Sequence, residues 1–296
     1  MKHLSFALLC LAAASPLLAQ GSRTFRPALL ESVSVSASFS SSEEVDDGVF
    51  QGGDVGISRY DLSVGGARPW AAAKGQLLYG LAYSRTELDA DVGMTLPETL
   101  QELSLSLGLR RELSANWGLS AFLRPGLYGD FEEIDGDSFN VPVLLLTSYR
   151  ESAERTWFFG INANAFSDNP VLPAFGVRWQ ISPDWTFDLG YPRTTLFRVV
   201  DQSLRIGLVL SAQGGNYRIT ETLGVPAPGV RRLANTYLDY NEFRGGFRME
   251  KSVGSSLTLD AEVGALIERE FDFYDRDYEL DGSGGFYATL ALRGRF

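Results

Sequence analysis

The sequence predicts an all-β fold: a single transmembrane antiparallel up-and-down β-barrel of about 14 strands, with about 12 as the alternative count. Three observations predict it. Apolar and polar residues alternate with a period of two through nearly the whole chain, the spacing that sends successive side chains to opposite faces of a strand. The connections between these runs are short and long in turn. All five tryptophans stand beside short connections.

Taken in order, residues 1–19 read as a signal peptide. Lys2 opens an apolar run over 4–14, Pro16 breaks it, and small Ala19 precedes Gln20 at the expected cut. The run is too short to cross a bilayer as a helix. Cys10 follows Leu9 rather than a small residue, which argues against a lipid-modified cysteine. Residues 20–296 then form one outer-membrane β-barrel domain with no internal linker. The first strand is expected at 30–40, where Val33, Val35, Ala37 and Phe39 alternate with serines. Runs at 57–67 and 75–86 follow. The strand at 99–113 has the clearest pattern, with Leu103, Leu105, Leu107 and Leu109 opposed to Glu102, Ser104, Ser106 and Arg110. Strands at 117–128, 139–149, 155–166 and 172–181 come next. The runs 185–191 and 194–200 bend at Pro192, and treating them as two strands preserves the alternation of short and long connections. The last four runs are 203–213, 235–250, 255–268 and 284–296.

Short turns are expected at 69–73, 114–116, 151–154, 182–184, 201–202 and 252–254, and longer loops at 41–56, 87–98, 129–138, 167–171, 214–234 and 269–283. Tight turns at one rim and long loops at the other mark an outer-membrane barrel with a periplasmic and an external side. Trp70, Trp117, Trp157, Trp179 and Trp185 would form a periplasmic aromatic girdle, since an indole prefers the membrane–water boundary. A soluble sandwich would instead place them near mid-strand. Tyr83, Tyr128, Phe166, Tyr237 and Phe271 would lie at the other rim. Phe296 ends an alternating strand and reads as the C-terminal signal for the outer-membrane insertion machinery.

Composition narrows the function. The only cysteine and the only histidine are Cys10 and His3, both inside the expected leader. The remainder therefore has no disulfide framework, no zinc or haem site of the His/Cys type and no Ser-His-Asp triad. No cofactor is expected. No constellation of carboxylates or glycines points to an enzyme, and a net charge of −11 without a basic stripe disfavours nucleic acid as a partner.

If the Leu, Val and Trp faces meet lipid, the opposite faces line the lumen. Candidate pore-lining residues are Arg59, Arg110, Arg124, Arg178, Arg205, Arg244, Arg248, Asp260, Glu262, Arg293 and Arg295. A tight turn near Val253 would put Arg244 opposite Glu262 and Arg248 near Asp260. Opposed charges in such a lumen set a transverse field that selects polar solutes. A barrel of this width exceeds the eight-strand case that side chains just fill, and no loop is long enough to require a plug. The expected long loops are acidic, with Glu43, Glu44, Asp46, Asp47 and Asp54 in the first and Asp272, Asp275, Asp277, Glu279 and Asp281 in the last. Their spacing lacks the glycine and terminal glutamate of a specific calcium loop. Diffuse bridging through Mg²⁺ or Ca²⁺ to lipopolysaccharide is the partner chemistry they fit, beside contact with membrane lipid.

Three stretches carry a family resemblance: Asp54 to Tyr60, Leu96-Pro97-Glu98 before the leucine-rich strand, and above all Pro170 to Trp179 followed by Pro183 to Pro192. They resemble an outer-membrane β-barrel family catalogued only as a domain of unknown function. The resemblance implies the fold and the outer membrane, and carries over no functional residue. The reading expected from the residues is a porin-like passive channel for small polar solutes. The alternative is a structural or surface-interaction barrel with a closed lumen and acidic external loops.

Overall fold

The computed structural model describes residues 30–48, 52–71 and 74–296, so the signal peptide expected at 1–19 lies outside the described residues. Fourteen antiparallel strands close on themselves. They are β1 (Ser32–Asp46), β2 (Gly52–Trp70), β3 (Gly75–Ala90), β4 (Thr99–Glu112), β5 (Trp117–Leu123 and Gly126–Gly129), β6 (Phe139–Asn140 and Val143–Arg150), β7 (Arg155–Ala163), β8 (Val171–Ser182), β9 (Trp185–Leu189), β10 (Arg193–Val199), β11 (Leu204–Ile219), β12 (Thr236–Val253), β13 (Leu257–Phe273) and β14 (Tyr278–Gly282 and Phe286–Arg295). The ring closes where β1 pairs with β14, from Ser32 opposite Arg295 to Ser40 opposite Tyr287. Each strand otherwise pairs with its sequence neighbour, and β9 and β10 are separate strands on either side of Pro192. The count is 14, not 12.

Alternation decides which face meets lipid. Leu103, Leu105 and Leu107 on β4 and Val263 on β13 are exposed on the outer surface, while Glu102, Ser104, Asp260 and Glu262 between them are buried inside. A closed barrel leaves no ladder group unpaired toward hydrocarbon, which is why it can cross a bilayer.

The strands differ in length from the sequence expectation at one end. Residues 41–56 and 269–283 read as loops, yet β1 runs to Asp46, β2 starts at Gly52, β13 runs to Phe273 and β14 starts at Tyr278. Period-two alternation continues there with its faces exchanged. Val45, Val55, Ile57, Phe271, Phe273 and Leu280 turn inward and are buried, leaving Glu44, Asp54, Asp272, Glu279 and Asp281 on the outer face by alternation. Beyond the lipid the solvent side must be polar, so acidic residues mark strand here rather than loop.

Strands β6 to β10 stop lower. Prolines break the ladder because they donate no hydrogen bond. Pro125 interrupts β5 and Pro142 interrupts β6, each still accepting through its carbonyl, from Leu105 N and Arg124 N at 2.9 Å. Past the break, the end of β5 reaches β11. Gly129 pairs with Arg218 in parallel, and Asp130 N donates to Arg218 O at 3.1 Å. A Cβ at Gly129 would lie 2.6 Å from Arg218 O, so only glycine permits this approach. The barrel thus has two girths: fourteen strands at the turn end, and a smaller ring of β11–β14 and β1–β5 at the loop end.

Candidate functional site

The interior changes character with height. At the loop end an apolar cluster fills the smaller ring. Each of its strands contributes: Val45 from β1, Val55 and Ile57 from β2, Leu88 from β3, Leu100 from β4, Tyr128 from β5, Tyr217 and Ile219 from β11, Leu238 and Tyr240 from β12, Phe271 and Phe273 from β13, Tyr278 and Leu280 from β14. Tyr240 and Phe271 stack at 5.2 Å. Loop 220–235 adds buried Leu233, and loop 164–170 adds Phe166, which packs edge-on to Tyr128 at 6.5 Å. A ring of this size is close to the barrel width that side chains fill, so the plug is made mostly of strand residues and needs no long loop. Tyr128, Phe166 and Phe271, expected at an aromatic rim, are buried in it because the strands pass beyond the lipid boundary.

Beneath the plug lies a paired charge layer. Glu242 is fully buried and accepts from Arg244 Nε at 2.9 Å, Arg269 Nε at 2.8 Å and Ser40 Oγ at 3.0 Å. Arg244 also donates to Ser38, Ser40 and Gln213 Oε1. It does not face Glu262 as the sequence suggests. The strand register sets it against Leu266, and Arg248 against Glu262. Arg248 reaches diagonally to Asp260, with Nε at 3.0 Å, and to Glu250 at 2.9 Å. Arg293 meets Asp260 at 2.7 Å and Arg193 meets Glu262 at 3.0 Å. On the far wall Arg59 Nε donates to Asp61 at 2.9 Å, and Arg124 pairs with Glu102. Arg110 and Arg295 are exposed on the inward face near the short turns. Buried ion pairs of this kind contribute little net stability, but breaking one leaves a desolvated charge.

Toward the short turns the wide ring is not filled. A cavity of about 610 Å³ is lined by Arg178, Arg193, Arg205, Arg248, Asp188 and Glu250, with Glu154 of the 151–154 turn at its rim. Phe197 forms an apolar patch on its wall beneath the guanidinium groups of Arg205 at 5.0 Å and Arg248 at 5.5 Å. Arg193, Phe197, Glu250 and Arg269 also face the interior, beyond the candidates the sequence offers. Arg193 follows the Pro192 bend, Phe197 is apolar, and Arg269 lies in a stretch expected as loop. The alternation of Arg193, Thr195 and Phe197 was the available signal; for Arg269, the ladder irregularity after Leu266 that turns it inward was not visible.

At the outer surface, Trp70, Trp117, Trp179 and Trp185 are exposed beside short turns, and Trp157 donates its indole N–H to Glu151 at 2.8 Å. Phe296 lies just past β14, its N–H on Glu31 O at 3.0 Å. At the opposite rim, Glu270 and Asp272 stand outward on β13. Burial and the nearby Glu279 and Asp239 push their carboxyls up to about 7 and about 6. Among the described residues no group of three or more His, Cys, Asp or Glu is arranged to hold a metal ion.

A closed barrel with an apolar outer belt and a charged interior is an outer-membrane β-barrel. The chain belongs to the family described as a domain of unknown function, DUF6268, whose model matches residues 74–280. No curated protein matches it. Among solved structures it is similar to an outer-membrane channel from Pseudomonas putida F1, at 12% identity and a TM-score of 0.49 over 94% of this chain and 99% of that one. It is also similar to a Pseudomonas aeruginosa FadL homologue, at 10% identity and a TM-score of 0.44 over 90% of each chain. The translocator domain of the autotransporter NalP from Neisseria meningitidis gives 10% identity and a TM-score of 0.40, over 99% and 96%.

Proposed function

We propose that this chain is a channel for small polar solutes that opens to the periplasm and is shut on its outer side in the conformation described. The observation that carries the reading is the division of the lumen. A charged, cavity-bearing half faces the short turns, and an apolar plug closes the half beyond the lipid. A barrel meant only to be filled has no use for a solvent-accessible cavity ringed by arginines, since an apolar filling is at least as stable as buried ion pairs. The plug distinguishes it from a permanently open porin-like passage.

The same plug favours the second reading, a barrel that never conducts and works through its acidic outer face, with lipid and lipopolysaccharide, bridged by Mg²⁺ or Ca²⁺, as partners. Single-channel recording in a planar bilayer separates the two. Wild-type protein should be closed for most of the record. Tyr240→Ala or Phe271→Ala, each verified as folded, should give sustained steps on the order of 0.1–1 nS, as for a water-filled pore. Silence from both folded variants would overturn the channel reading and leave the closed barrel. In a conducting variant, Arg293→Ala should shift the reversal potential, because Arg293 faces the lumen.

A further inference from the structure

We propose that the periplasm-facing cavity is a binding site for a small organic anion carrying a carboxylate or phosphate group. The site rests on the reading that this half of the lumen opens to the periplasm, but does not require the barrel to conduct.

Three guanidinium groups from β8, β10 and β11 share the cavity: Arg178, Arg193 and Arg205. Each engages a carboxylate through one nitrogen. Arg178 Nε meets Asp188 at 2.7 Å, Arg193 Nη1 meets Glu262 at 3.0 Å, and Arg205 Nη2 meets Glu250. The two halves of these pairs are unequally shielded. The arginine side chains are 65%, 39% and 47% exposed, whereas their partners Asp188, Glu262 and Glu250 are 32%, 3% and 10% exposed. Solvent in the cavity therefore meets cation more than anion. A guanidinium presents five N–H donors in a fixed fork, so most donors of each fork remain for a ligand. The fork matches the paired oxygens of a carboxylate or phosphate.

The surroundings hold the forks in place. Phe197 packs under Arg205 and Arg248, which restrains those guanidiniums before any ligand arrives. Arg248 is already committed to Asp260 and Glu250, so it serves as scaffold rather than as a ligand-binding group. Thr186, Thr195 and Gln180 add neutral hydrogen-bonding groups to the wall. The volume lies within the range of small-molecule sites and exceeds what one inorganic ion occupies.

The test is calorimetric titration of the full chain folded in detergent, with citrate, glucose 6-phosphate and glucose as probes. Citrate, glucose 6-phosphate or both should bind, and glucose should not. Which anion binds more tightly distinguishes a carboxylate ligand from a phosphate ligand. Arg178→Gln and Arg205→Gln should each weaken binding about ten-fold or more, with the β-sheet circular dichroism unchanged. Binding by neither anion, equal binding of glucose, or undiminished affinity in both folded variants would overturn the proposal. None of these readings depends on conductance, so a silent bilayer record leaves the test intact.

Discussion

Gly129 and Arg218 are neighbours in a parallel ladder, although five strands separate β5 from β11 along the wall of the barrel. This contact cuts the outer end of a fourteen-strand ring down to a girth that side chains fill. Asp130 secures it by accepting from Thr220 N at 2.7 Å, Thr220 Oγ1 at 2.8 Å and Glu221 N at 2.8 Å.

Gly129→Val should therefore loosen the plug. Its Cβ would sit 2.6 Å from Arg218 O, against backbone that has little room to move. Overpacking of this kind costs about 1–3 kcal/mol. Urea unfolding should show that loss, and bilayer recording should show more frequent opening than in the wild type.

Asp130→Ala tests the same seam from the polar side. It leaves the Thr220 and Glu221 amides without their acceptor, a loss of about 1–3 kcal/mol where they are shielded. Loop 220–235, which begins at these residues, should become more accessible. Trypsin cleavage after Arg231 or Arg232 should speed up, and an unchanged cleavage rate would show that Asp130 does not anchor the loop.

Removing an arginine from the interior should matter in proportion to its burial. Arg269 is almost fully buried and donates to Glu242, Ser41 O and Val55 O. Arg269→Ala takes away one of the two guanidinium groups on the buried Glu242 carboxylate, leaving Arg244 as its remaining cation, and should cost about 3 kcal/mol. Arg178→Ala removes a pair whose members are both solvent-accessible and should cost under about 1 kcal/mol. Equal losses in a denaturant titration would contradict the layered interior.

The outer carboxylates should make stability fall as pH rises. Glu270 and Asp272 ordinarily lose their protons near 4.5 and 3.8, but in the folded barrel they do so at about 7 and about 6. The folded state thus binds protons more tightly than the unfolded one. The contribution is fully present below the ordinary carboxylate range and is lost as pH rises through about 6 to 7. Glu270→Gln should flatten the fall in thermal midpoint over that window, and an unaltered slope would locate it in other groups.

Much of the architecture was legible in the chain itself. The leucine ladder of β4 and the serine ladder of β1 assigned their lipid and lumen faces correctly, because a strand's faces follow from residue parity alone. The bend at Pro192 separated β9 from β10 and so decided the strand count. The interior was legible only in part. The sequence puts Arg248 near Asp260, as found, but Arg244 against Glu262, whereas the ladder sets Arg244 four residues further along, against Leu266. The acidic stretches looked like loops because parity cannot say where lipid ends. The same alternation carries leucine outward at Leu105 and inward at Leu280.

The amino-acid sequence by itself determined that this chain alternates, closes and crosses a membrane. Those properties follow from local periodicity and from the need to pair every backbone group in hydrocarbon. Only the tertiary structure decided that an apolar cluster gathers inside the outer end of the barrel. That outcome depends on Gly129 reaching Arg218, on the strands that end early at Pro142 and Pro192, and on apolar side chains from nine strands meeting at one height. Such contacts join residues far apart in the chain, and no local pattern encodes the distance between them.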